Sequence, residues 1–182
     1  MNPDRAKTIR RRVRLLTWLF IASLVISGAT AIPLESEVNG LVRLTGAGRI
    51  AGGAAGIEAP AWARWLVKVG DALRATNQQH PFLFYGTDWL AFAHCVIGIA
   101  FIGALRDPAR NVWLFEFGLI ACAAVIPYAL VMGVLREIPF WWRLGDCSFG
   151  ALGAIPLWFC RRWAGELAQS EWPSFGRPAN ST

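Results

Sequence analysis

The sequence predicts an all-α integral membrane protein with four transmembrane helices, N-in and C-in, and an outer amphipathic interfacial helix. Three observations predict it. The 182 residues are 55% hydrophobic and only 16% charged, with a mean hydropathy of +0.40, where soluble domains carry about 25% charged residues. Four apolar stretches approach the roughly 20 residues needed to cross a bilayer. The basic residues flank those stretches: Arg5, Lys7, Arg10, Arg11, Arg12 and Arg14 stand against Asp4 alone, which leaves five of the six net positive charges ahead of the first apolar run. A pI near 9.8 would otherwise point to nucleic acid. Charge gathered beside an apolar run holds a cytoplasmic end instead of building a basic groove, so no nucleic-acid partner is expected.

The expected spans are 15–32, 89–105, 112–135, broken only by Glu116, and 140–160, which carries Arg143 and Asp146 in its first turns. All should be helical, because lipid offers no water to an unpaired backbone group. Residues 1–14 form a basic cytoplasmic arm. Four crossings then return the Arg106–Asn111 turn and Arg161-Arg162 to the same side, which agrees with their charge. The opposite loop balances Arg136 and Arg143 with Glu137 and Asp146. Ala29-Thr30-Ala31 imitates a signal-peptide cleavage site, but Pro33 close behind it argues against cleavage. The twin-arginine pattern is weak because no serine precedes the arginines.

Residues 33–88 form an outer segment. Five glycines between Gly46 and Gly56 predict a flexible connection, and Gly46-Ala47-Gly48 lacks the strand and βαβ context of a dinucleotide loop. Over 60–74, Trp62, Trp65, Leu66, Val69 and Leu73 fall on one helical stripe opposite Arg64, Lys68 and Asp71. Such a helix either lies in the membrane–water interface or packs over the ends of the spans. Residues 81–85 then re-enter the membrane. By depth, Trp62, Trp65, Trp89, Trp141 and Trp142 are expected as outer interfacial anchors, and Trp113, Trp158 and Trp163 line the inner boundary.

Ionisable groups inside a membrane are expensive, so each needs a reason. Asp88, Arg136, Glu137, Arg143 and Asp146 fall at the outer ends of the second, third and fourth spans, with His94 about 9 Å deeper than Asp88 and turned about 120° from it. Two readings compete. In the structural one, Arg143 pairs with Asp146 at i, i+3, and Asp88 pairs with Arg136 or Arg143. In the functional one, the arginines bind an anionic headgroup while the acids orient it, bind a cation or move a proton. Glu116 is expected to pair with Arg106 or Arg110. Cys95, Cys122, Cys147 and Cys160 lie within spans without a Cys-x-x-Cys, so free thiols are expected, with no metal. His80 and His94 are the only histidines; His80 lies outside the spans, which disfavours a bis-His haem, and no cofactor is expected. Pro127 and Pro156 should kink their helices, and Gly150 with Gly153 should permit close helix approach.

The runs Tyr-Gly-Thr-Asp-Trp-Leu-Ala-Phe-Ala-His (85–94), Leu-Arg-Asp-Pro-Ala-Arg-Asn (105–111) and Trp-Arg-Leu-Gly-Asp-Cys-Ser-Phe-Gly (142–150), with Ile26 to Glu35, resemble a family of small bacterial inner-membrane proteins without an assigned activity. The resemblance covers roughly half the chain. A second, weaker resemblance is to VanZ-like proteins, on Asp88, His94, Arg143, Asp146 and Gly153, with Gly150 departing from an Asn usual there. The residues predict a non-catalytic accessory, assembly or scaffolding subunit of a membrane complex, such as a bioenergetic one, with membrane lipids and membrane proteins as partners. The second resemblance implies instead a protein that binds or acts on a lipid-linked or envelope substrate at the outer leaflet. A transporter ranks third, since no internal repeat is visible.

Overall fold

The computed structural model describes residues 1–53 and 58–171, and the described residues contain helices and no strand. Seven α-helices follow in order: α1 (Pro3–Ala31), α2 (Leu34–Thr45), α3 (Ala47–Ala51), α4 (Ala61–Gln79), α5 (Tyr85–Arg106), α6 (Val112–Leu135) and α7 (Phe140–Glu171), with a 3₁₀ turn over Pro81–Phe84 leading into α5. Among the described residues, three segments are long and apolar enough to cross a membrane: Pro3–Ala31, Pro81–Arg106 and Val112–Leu135. The chain divides into two compact units, one of residues 1–23 with 97–182 and one of 24–96.

In the first unit, antiparallel helices share one apolar core. Val13 of α1, Phe101 of α5, Phe115 of α6, and Leu157 and Leu167 of α7 are among its buried side chains. The Phe20 and Phe101 rings lie 4.8 Å apart, and Phe101 meets Phe115 edge-on at 6.3 Å. The arm expected over 1–14 is helical and continuous with the first span, and its Ile9 and Val13 enter the core. Its charges flank that contact. Arg5 pairs with Glu166 at 3.1 Å, Arg10 pairs with Glu171, and Arg12 lies over the Trp163 ring. The α7 helix starts at Phe140 as expected and runs eleven residues past the expected end of its span. The remainder of the 161–182 tail lies outside the described residues.

Helices α6 and α7 pair along most of their lengths, and glycine makes the close approach. A Cβ at Gly150 would sit 2.5 Å from the Cys122 carbonyl oxygen, and one at Gly118 would sit 2.9 Å from Leu157 Cδ1. Gly153 faces Cys122 Sγ, so the expected small-residue contact is present. Both helices run through their prolines, Pro127 and Pro156. All four cysteines are free; Cys160 is buried and the others are half-buried.

In the second unit, α2 and α4 form an antiparallel hairpin. Asn77 Nδ2 donates to Glu35 Oε2 at 2.8 Å, Arg74 Nη2 donates to Asn39 Oδ1 at 3.1 Å, and Gly70 lies against Val38. Two expectations are corrected here. The flexible connection over 46–56 is ordered at its start: Gly46, at φ 68°, caps α2 by donating to the Val42 and Arg43 carbonyls, and α3 begins at once. A positive φ suits glycine, which has no Cβ to clash. Residues 54–57, with Gly56, lie outside the described residues. The helix expected over 60–74 runs to Gln79, and its buried face centres on Ala63, Leu66 and Gly70. It packs on α2 and α3, small residues admitting the neighbouring backbones, so Trp62 stands exposed at the margin of the stripe. Tyr85 already belongs to α5, which therefore begins four residues before the expected 89.

Candidate functional site

The six ionisable residues singled out by sequence fall into two groups, one in each unit. Arg136, Glu137, Arg143 and Asp146 surround the turn between α6 and α7. That turn is a Schellman closure: Ile138 N–H donates to the Gly133 carbonyl at 2.8 Å, and Glu137 N–H donates to that of Val134 at 3.1 Å. Glu137 takes the left-handed position, with φ 55°, where glycine is usual. Arg136 and Glu137 are exposed. The helix α7 then opens as Trp142 and Arg143 donate their amides to the Pro139 carbonyl.

Arg143 does not pair with Asp146. Its methylenes occupy the space over Gly133 that a Cβ would fill, its Nη1 donates to the Leu130 carbonyl at 3.3 Å, and its guanidinium lies 5.3 Å from the Phe140 ring centre. The Nε atom is buried without an acceptor. The physical reason is reach. With no side chain at Gly133, the arginine stem folds across onto α6, and Asp146, three residues along its own helix, is left without an ion-pair partner among the described residues. Among the described residues Asp88 makes no ion pair, so its expected pairing with Arg136 or Arg143 is likewise not found. Glu116 is a third correction: Arg161 pairs with it at 2.9 Å, and Arg110 turns to Asp107 at 3.5 Å. The antiparallel register of α6 and α7 brings Arg161 alongside Glu116, a pairing that sequence distance concealed.

In the second unit, Asp88 and His94 occupy α5 and do not meet. His94 Nδ1 lies 2.8 Å from the Leu90 carbonyl. A carbonyl only accepts, so Nδ1 is the donor in that contact. His94 also closes against α1, where a Cβ at Gly28 would come within 3.0 Å of His94 Cβ and 2.9 Å of the Ala91 carbonyl oxygen. Asp88 is exposed and lies among aromatic rings that the sequence reading did not connect with it. Tyr85, Asp88, Trp89 and Phe92 line a groove of about 270 Å³. Their i, i+3, i+4, i+7 spacing, which places them on one helix face, is the signal that could have found it. Of the expected interfacial anchors, Trp62, Trp89 and Trp141 are exposed, and Trp65 and Trp142 are half-buried.

Among the described residues, no group of three His, Cys, Asp or Glu side chains could hold a metal ion. Over its described residues the chain is thus helical, with three helices of membrane-spanning length and apolarity. Compared with protein-family models, curated proteins and solved structures, it finds no match.

Proposed function

We propose that this chain is a four-span protein of a bacterial inner membrane, N-in and C-in, that serves as an accessory or scaffolding subunit of a membrane complex. The fourth span is supported by register. The α6 helix is one of the membrane-length helices, and α7 lies along it from Arg143 beside Leu130 to Arg161 beside Glu116. A helix paired with a spanning helix over that distance crosses with it. The orientation is supported by the basic arm, and the bacterial assignment rests on the sequence resemblance.

The observation that carries the subunit reading is the apolar surface this unit leaves uncovered. Only 11% of the most apolar stretch of α6 is buried. Ile120, Val131 and Leu135 on α6, with Phe149, Leu152 and Ile155 on α7, are large, apolar and exposed. Such faces meet either lipid or another membrane protein. A photo-crosslinking residue at Ile120 and, separately, at Phe149 decides between them in native membranes. Stoichiometric protein adducts at either position are expected; adducts to lipid alone at both would refute the subunit reading.

A second reading has its own observation. Among the described residues the Arg143 guanidinium has no acidic partner, and its Nε is unsatisfied, which fits an anionic headgroup or lipid-linked envelope ligand at the outer leaflet. It expects Arg143→Gln to lose a co-purifying anionic lipid while the fold persists.

A further inference from the structure

We infer that the face of α5 bearing Tyr85, Asp88, Trp89 and Phe92 binds the ammonium headgroup of a phospholipid. The geometry resembles a box for a cation. The Trp89 ring stands at 87° to Tyr85, with centroids 5.9 Å apart, and at 90° to Phe92, with centroids 5.6 Å apart. Perpendicular rings give a groove walls that differ in direction, and each ring face carries the negative lobe of its quadrupole, which attracts a cation within about 6 Å. Asp88 supplies the counter-charge within the same groove. Among the described residues, no donor reaches its carboxylate and no basic side chain covers the three rings, so the charge is open, as are the ring faces not used in the edge-to-face contacts.

Depth points to a lipid as the source of the cation. Asp88 lies eighteen residues from Arg106 along α5, or about 27 Å at 1.5 Å per residue. That nearly matches the roughly 30 Å hydrocarbon thickness. With Arg106 at one boundary, Asp88 stands at the other, where headgroups lie. Below the groove the same helix face continues with Val96, also exposed, which gives the acyl chain an apolar track. An ammonium joined to a hydrocarbon tail matches this sequence of carboxylate, aromatic walls and aliphatic surface. A small soluble cation would use only the first two.

The test uses the full chain in nanodiscs of phosphatidylethanolamine and phosphatidylglycerol in equal parts, released into native mass analysis. The wild type is expected to retain phosphatidylethanolamine preferentially. Asp88→Asn and Trp89→Leu should each reduce that preference roughly three- to tenfold, and Asp88→Glu should keep most of it. Helix content and thermal midpoint should stay unchanged in Asp88→Asn, because the side chain is exposed and unpaired. No preference in the wild type, or one that survives Asp88→Asn, would overturn the inference. So would tetramethylammonium bound with no phosphatidylethanolamine retained, since the groove would then serve a soluble cation.

Discussion

The two ends of the α6–α7 pair are built on different principles. At the Glu116–Arg161 end, the core includes Ile9, Val13, Ala109, Ala164 and Leu167, all outside the spans expected from sequence. Apolar burial is driven by water, and inside a bilayer that drive between helices disappears. The core nevertheless sits at this end, where Phe101, Phe115 and Leu157 inside those spans join the residues beyond them, with ion pairs around its rim. At the Gly133–Arg143 end, the contact is a glycine covered by an arginine stem, and large apolar side chains such as Phe149 (74% exposed) and Leu135 (68%) face outward. One end holds the fold together and the other remains available to lipid or a partner.

The largest effects should come from the core end. Phe115 is fully buried, and Phe115→Ala should cost about 3 kcal/mol, whereas Phe149→Ala should leave stability within about 0.5 kcal/mol. Reversible unfolding in mixed micelles measures both; equal losses would break the comparison. Between the ends, Gly150→Ala must displace the α6 backbone at Cys122 and should cost about 1–3 kcal/mol. Gly145→Ala meets nothing within 4 Å and should stabilise by up to about 1 kcal/mol, the helix-propensity difference.

Charge separates the ends more finely. The Glu116–Arg161 pair is half exposed, so a double-mutant cycle should show a coupling of about 0.5 kcal/mol. The same cycle on Arg143 and Asp146 should show a coupling near zero. A large Arg143–Asp146 coupling would restore the ion pair that the geometry denies. Smallest of all, Glu137→Gly should relieve the left-handed backbone at Glu137 and stabilise by about 0.5 kcal/mol; a loss would show that the carboxylate has a partner.

Much of this was legible in the sequence. Periodicity and length located α5, α6 and the start of α7, and Gly150 with Gly153 announced the close approach. The hairpin of α2 was missed although its signals were present. Glu35 and Glu37 occupy the first turn, Arg43 the last, and Gly46 caps it, a charge and cap pattern that favours a helix. Pro33 and the glycines after Thr45 concealed it. Partners across helices were the least legible. Arg161 for Glu116 and Leu130 for Arg143 follow from the register of an antiparallel pair, which no local pattern encodes. The α4 stripe was misjudged because a helix packs its smallest residues where backbones approach, and Ala63 and Gly70 carry little hydropathy to reveal that.

The central claim is that α7 crosses the membrane beside α6. Single cysteines at Gly48, Arg136, Arg110 and Gln169, all exposed positions, in a background without the four native cysteines, test it most directly. A membrane-impermeant maleimide applied to intact cells should label Gly48→Cys and Arg136→Cys and leave Arg110→Cys and Gln169→Cys unlabelled until the cells are opened. Labelling of Gln169→Cys in intact cells, with Arg110→Cys still protected, would place the end of α7 on the wrong side and contradict the fourth span.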